Sequence, residues 1–166
     1  MALTQAEFNQ LVEDHSAALY RMAYRLAGDR HEAEDLVQEA FRSAWRSRER
    51  YEAGRGDRAW LVAILRRRAV DRWRKAKLPS VVSTDATLEA SVEADDPTAA
   101  GYSDEMQAAL GKLPDALRET LLYVVVAELT HQEVADMLGI PLGTVLSRVS
   151  RARQRLREYL LAAAKA

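Results

Sequence analysis

The sequence predicts an all-α protein made of two small helical domains joined by a flexible acidic linker. In both halves of the 166-residue chain, apolar side chains recur at the three- and four-residue steps of amphipathic helices. Between the halves lies a stretch rich in Ser, Thr, Ala and Asp that lacks this period. The expected divisions are residues 1–77, 78–103 and 104–166.

The first domain has three predicted helices with short connections, as in small helical bundles. The first helix begins at a capping box, Thr4 to Glu7, and ends at Gly28-Asp29. The second carries an apolar stripe over residues 33–45. Asp57 is expected to cap the third helix, which extends to about Lys77.

Helical periodicity resumes near Asp104 in the second domain, where Pro114 is expected in the first turn of a helix. Residues 121–126 are β-branched and apolar enough for a strand. Their helical flanks and the lack of a partner strand favour a helix. Residues 130–133 form a second capping box.

A helix-turn-helix motif is indicated by the spacing of Ala135, Gly139 and Val145. A small residue at 135 lets two helices cross closely, and Gly139 permits a left-handed turn. The helix after the turn presents polar and basic side chains suited to phosphates and guanine edges in a major groove. The alternative is a helical packing unit with a solvated arginine face. The exposed residues are Thr144, Ser147, Arg148, Arg151, Arg153 and Arg155.

The near-neutral charge hides a strong segregation of charge along the chain. The 24 Lys and Arg balance 25 Asp and Glu, which argues at first against a nucleic-acid partner. Residues 58–77, however, hold eight basic side chains and one acid, whereas residues 78–111 hold seven acids and no base. The basic block includes Trp60 and Trp73, and aromatic rings can stack on unpaired bases, although Trp60 is equally compatible with a core position.

Several functional classes find little support in the sequence. The absence of cysteine excludes disulfides and thiolate zinc sites, and the three histidines are too scattered for a metal cluster, so neither a metal nor a cofactor is expected. No apolar run approaches the roughly 20 residues that span a bilayer, so a soluble cytoplasmic protein without membrane insertion is expected. No nucleophile–base set or phosphate loop indicates an enzyme.

Taken together, the segments resemble the group IV (extracytoplasmic-function, ECF) sigma factors of bacterial RNA polymerase. Residues 33–41 resemble the part of sigma domain 2 that binds the clamp helices of the β′ subunit. Trp60-Leu61-x-x-Ile64, followed by Asp71-x-x-Arg74, is similar to the segment that melts and reads the −10 element. Leu113-Pro114 together with residues 130–153 is similar to domain 4, which binds the −35 element and the flap of the β subunit.

The resemblance implies a transcription initiation factor that binds core RNA polymerase and promoter DNA, is a monomer when free, and is held inactive by an anti-sigma factor. For polymerase binding it implicates Asp35, Leu36, Gln38, Glu39 and Phe41. For the −10 element it implicates Tyr51, Arg58, Trp60, Arg66, Arg67, Arg68, Asp71, Arg72, Arg74 and Lys75. For the −35 element it implicates Thr144, Ser147, Arg148, Arg151 and Arg153.

Two positions depart from the usual pattern of that family. The family usually has Asn where this chain has Arg67, and Lys where it has Leu146. The resemblance implies that the second change removes a phosphate contact and alters the −35 preference. Two other readings of the sequence are a stand-alone helix-turn-helix regulator that acts without polymerase, and an all-α interaction protein. A stand-alone regulator would usually need a segment for dimerisation, and none is evident in the sequence. An all-α interaction protein would leave the arginine face unexplained.

Overall fold

A computed structural model describes residues 2–54, 56–77 and 104–165. Within these ranges the chain forms seven α-helices and a short 3-10 helix, and no strand. The expected linker, residues 78–103, lies outside the described residues. The helical fold class is as the sequence predicts.

The N-terminal domain consists of α1 (Gln5–Ala27), α2 (Arg30–Arg46), a 3-10 turn (Arg48–Arg50) and α3 (Asp57–Lys77). The capping box at the start of α1 is confirmed: the backbone amide of Thr4 donates to Glu7 Oε2 at 2.8 Å, and the Thr4 hydroxyl accepts from the Glu7 amide at 3.3 Å. Gly28, at φ 71°, ends α1. Asp57 is the first residue of α3 and not the residue before it, and its carboxylate accepts a hydrogen bond from the Tyr51 hydroxyl.

The C-terminal domain consists of α4 (Asp104–Lys112), α5 (Asp115–Val125), α6 (His131–Leu138) and α7 (Leu142–Ala164). The helical interpretation of residues 121–126 is confirmed for all but the last, because α5 continues to Val125 and Val126 caps it. Pro114 precedes α5 as its N-cap and so lies just outside the first turn. A proline at this boundary loses no helical hydrogen bond.

Helices α6 and α7 form the helix-turn-helix unit. The second capping box is confirmed: the Thr130 amide donates to Glu133 Oε1 at 3.0 Å, and the Glu133 amide donates to Thr130 Oγ1 at 3.1 Å. Gly139 ends α6 at φ 67°, in the left-handed region that favours glycine. Val134, Ala135 and Val145 are buried where the two helices meet, so each residue of the predicted spacing has the expected packing role.

The two domains pack against each other. Helix α1 contacts α5, and α3 contacts α6, so a single apolar core continues from one domain into the other. This arrangement brings the basic helix α3 beside the acidic side chains of α5 and of the loop that follows it. No helix in the described part of the chain is long and apolar enough to cross a membrane.

Candidate nucleic-acid interface

Helix α7 buries one face and leaves the opposite face accessible. Val145, Val149, Ala152 and Leu156 pack into the core. Successive residues of a helix are rotated by about 100°. The strip on the side of α7 opposite the buried residues therefore begins with Gly143, Ser147 and Ser150. These are small side chains, and the space around Gly143 is open. The backbone at the start of α7 can therefore approach another surface closely.

Arginine side chains flank this strip of small residues on both sides. By the same helical geometry, Thr144, Arg148, Arg151 and Arg155 lie on one flank, and Arg153 and Arg157 on the other. Arg151 donates to the Ser147 hydroxyl at 2.9 Å. Within the described ranges, none of the five arginines of α7 forms an ion pair, so their positive charge is available to a polyanion.

The basic side chains of α3 differ from those of α7, because four of them form ion pairs with acids of α2, of α3 itself, of α5 or of the loop that follows α5. Arg72 lies 3.3 Å from Glu39 and 3.8 Å from Asp35, two of the residues expected to bind polymerase. Arg68 lies 3.5 Å from Asp71 on its own helix. Arg58 and Arg66 pair with the C-terminal domain, as described below. The exposed members of the expected −10 set are Arg67, Arg74 and Lys75.

A polar cavity of about 310 Å³ opens between α2 and α3, next to residues 51–60, whose Tyr51 and Trp60 belong to the expected −10 set. The Tyr51 ring packs on Trp60 with centroids 5.2 Å apart, and the Tyr51 hydroxyl donates to Asp57. This hydrogen bond raises the pKa of Tyr51 to about 12. An indole face beside guanidinium groups is suited to an unpaired base and its phosphate. The cavity is lined by Ser43, Ser47, Arg50, Trp60, Ile64, Arg67 and Arg68.

A junction of ion pairs joins α3 to the C-terminal domain. Glu119 Oε1 accepts from Arg66 Nε at 2.6 Å and from the Tyr123 hydroxyl at 2.7 Å. Burial, together with the charge of Glu119, raises the pKa of Tyr123. Burial, the largest single cause, lowers the pKa of Arg66, but the hydrogen bond to Glu119, the charge of Glu119 and the contact with Tyr123 together outweigh it, so the pKa is raised. A second pair joins Arg58 to Glu128 at 2.7 Å.

Glu119→Ala is expected to weaken this junction. It leaves the Tyr123 hydroxyl and the Arg66 guanidinium without their shared acceptor, and alanine preserves the helicity of α5. The side chains of Arg66 and Glu119 are 32% and 28% exposed, so solvent screening limits the effect to about 1–2 kcal/mol. Small-angle scattering should show a larger radius of gyration. Asp115→Ala, which removes a pair within α5, should not change it. An unchanged radius for Glu119→Ala would contradict the role of the junction.

The candidate polymerase-binding face on α2 is smaller than the sequence suggests. The Asp35 side chain is 62% exposed, and Gln38 is exposed beside it. Leu36 is only 1% exposed because it packs into the core between helices, so its expected contact with polymerase is corrected to a structural role. Phe41 is half-buried, with its ring edge-on to Phe8 at 6.4 Å.

Sequence reasoning missed the residues that depend on tertiary contacts. Ser43 and Ser47 lie one turn apart on or just after α2 and line the cavity; their four-residue spacing was the only signal for them. Glu119 and Tyr123 are also four residues apart, but nothing local indicates their partner Arg66. Within the described residues, no group of three or more His, Cys, Asp or Glu side chains could hold a metal ion.

A two-domain helical fold with a helix-turn-helix and a second basic helix defines a class of DNA-binding transcription factor. The family model for Sigma-70 region 2 matches residues 11–78, and the model for Sigma-70, region 4 matches residues 103–156.

Two ECF RNA polymerase sigma factors are similar along most of this chain. SigE of Mycolicibacterium smegmatis is 36% identical over 159 residues, covering 92% of this chain, but the chain spans only 61% of SigE. SigW of Bacillus subtilis is 33% identical over 168 residues, covering 94% of this chain and 90% of SigW. The chain belongs to the ECF RNA polymerase sigma factor family, as its resemblance predicts.

Solved structures agree with this assignment. The sigma factor RpoE of Bartonella quintana, in a complex with the anti-sigma factor NepR, is 31% identical with a TM-score of 0.76, covering 92% of this chain and 96% of RpoE. CnrH, in a complex with the cytosolic domain of CnrY, is 27% identical with a TM-score of 0.72, covering 96% of this chain and 90% of CnrH.

Proposed function

We propose that this chain is the promoter-specificity subunit of RNA polymerase: it binds the core enzyme and directs it to promoters by reading the −10 and −35 elements. The proposal rests on the arginine face of α7, which has no ion pair with the residues the structure describes, in a chain that matches both Sigma-70 regions 2 and 4. The functional parts are residues 1–77 for core and −10 binding, residues 104–166 for the −35 element, and residues 78–103 as the tether.

The −35 element is read by α7 in the major groove. The small residues Gly143, Ser147 and Ser150 let the helix approach the base edges, while the flanking arginines other than Arg148 meet the two phosphate strands. Arg148 is placed to donate to guanine, and Arg151 and Arg153 to phosphates. Thr144 and Ser147 supply additional hydrogen bonds, either to bases or to the sugar-phosphate backbone.

The −10 element is opened and held by α3 and the preceding loop. Extruding a base costs a few kcal/mol, and stacking on Trp60 within the cavity beside Arg67 and Arg68 offsets that cost. Arg74 and Lys75 are exposed in the free protein, so they bind the DNA backbone without any ion pair having to open. Arg58, Arg66 and Arg72 join them after their ion pairs with Glu128, Glu119 and Glu39 have opened, and Asp71 positions Arg68 in the meantime.

The partners follow from the same surfaces. Asp35, Gln38, Glu39 and Phe41 on α2 bind the clamp helices of β′, and the C-terminal domain binds the flap of β. The relative RpoE is seen in a complex with the anti-sigma factor NepR, and CnrH in a complex with the cytosolic domain of CnrY. These complexes support an anti-sigma factor for this chain. The protein acts in the cytoplasm as a monomer when free, without cofactor or metal, and has no catalytic role of its own. A stand-alone regulator is not favoured, because it would leave the match of residues 11–78 to Sigma-70 region 2 without a function.

Asp35→Arg tests the proposed contact with polymerase. The substitution puts a cation in place of an exposed carboxylate on α2 and is expected to weaken binding to purified core polymerase by about 5- to 30-fold, the loss typical of a substantial interface contact. Asp14→Arg makes the same change of charge on the exposed face of α1 and should bind core like the unaltered protein. Equal affinities for all three proteins, measured by biolayer interferometry, would remove α2 from the interface.

A further inference from the structure

Two leucines at the start of α7 remain exposed. Leu142 is 39% exposed and Leu146 is 48% exposed, on consecutive turns of the helix that carries the arginines. The neighbours of Leu146 toward solvent, Gly143 and Ser150, are too small to cover it. Leaving so much apolar surface in water has a cost, which a partner on this face would relieve.

The position of these leucines relative to the arginines indicates what that partner is. Helical geometry places Leu142 and Leu146 on one side of the small-residue strip and Arg148 and Arg151 on the other. Because this helix carries five arginines that form no ion pair within residues 2–54, 56–77 and 104–165, the complementary surface is a polyanion rather than an apolar groove of a protein. In helix-turn-helix proteins the first turns of the recognition helix contact the base edges.

Major-groove base edges carry one methyl group, on C5 of thymine. We propose that Leu146, supported by Leu142, is a specificity-determining residue that reads a thymine methyl group in the −35 element; the inference rests on the proposed role of α7. A leucine has no donor for O6 or N7 of guanine, so a guanine at that position would lose its hydration without gaining a hydrogen bond. The side chain therefore favours thymine and disfavours guanine.

The test uses holoenzyme assembled from the full-length protein and purified core polymerase. Duplex promoters randomised over the −35 element are selected for binding, and each thymine in the selected element is then replaced singly by deoxyuridine, which lacks only the methyl group. Unaltered holoenzyme is expected to lose about fourfold in affinity at one position, the effect of one buried methyl group. Leu146→Ala should show no loss at that position.

The matched control is Leu161→Ala, since Leu161 is a more exposed leucine near the far end of the same helix. It should keep the deoxyuridine effect. The inference is overturned if the selected element contains no thymine, or if no single deoxyuridine replacement lowers the affinity of the holoenzyme. It is also overturned if Leu146→Ala holoenzyme loses as much affinity as the unaltered one at the same position. If no −35 sequence is selected at all, or if Arg148→Ala leaves the selection unchanged, the proposed function itself fails.

Discussion

Val145→Asp is expected to unfold the helix-turn-helix unit. Val145 is fully buried between α7 and the rest of the C-terminal domain, so a carboxylate there would lose its hydration without a partner. The cost is about 3–5 kcal/mol, a large fraction of the stability of a small domain. Thermal unfolding followed by circular dichroism should show a strongly lowered transition, and promoter binding should lose its dependence on the −35 element.

The matched control is Val125→Asp. Val125 lies in the same domain at the end of α5, but it is 44% exposed, so its carboxylate would remain hydrated. We expect a change in stability within about 0.5 kcal/mol, typical of a surface position. If the two variants were equally stable, the assignment of Val145 to the core of this unit would be wrong.

Arg148→Ala is expected to lose selectivity for the −35 element. A side chain that donates to a guanine edge contributes roughly 1–3 kcal/mol of discrimination, which corresponds to about 5- to 150-fold between the preferred element and a changed one. The measurement compares transcription by the holoenzyme from two templates that differ only at −35.

Arg157→Ala provides the comparison, because Arg157 is an exposed arginine of α7 on the opposite flank and about two and a half turns farther along the helix. Its loss should weaken binding to both templates alike and lower the salt dependence, as expected for a phosphate contact. Arg148 has no role in reading the sequence if its alanine variant keeps the same preference between the templates.

The features that the sequence predicts well are local ones. Both capping boxes, at Thr4 and Thr130, depend on residues three positions apart, and Gly139 adopts the left-handed conformation that its place after a helix requires. The buried face of α7 also follows from its own period, since Val145 and Leu156 lie where three- and four-residue steps put them. These features need no knowledge of the rest of the chain.

The features that the sequence does not predict arise from distant contacts. Arg66 and Glu119 are 53 residues apart, and Arg58 and Glu128 are 70 apart. No periodicity connects them, so the domain junction appears only in three dimensions. The burial of Leu36 is not predicted for a related reason. The sequence pattern of an apolar residue is the same on a docking surface as in a core, and only the packing of the folded chain distinguishes the two.

The structure also sharpens the meaning of the near-zero net charge. Acids of α2 and of the C-terminal domain pair with basic side chains of α3, whereas the arginines of α7 have no ion pair within the described residues. In the free protein the arginine face of α7 is therefore accessible, whereas many of the basic side chains of α3 are neutralised by ion pairs. In the proposed function Arg58 and Arg66 are released only when the domain junction opens, so −10 binding would be linked to a change in how the two domains are placed.

Run-off transcription with purified core polymerase of the source organism shows whether this one chain binds both a polymerase and a promoter. We expect the chain to co-purify with core and to give a transcript of defined length that core alone does not produce. That transcript should be strongly reduced by Asp35→Arg and should lose its −35 dependence with Arg148→Ala. A chain that neither co-purifies with core nor supports a defined transcript would contradict the account.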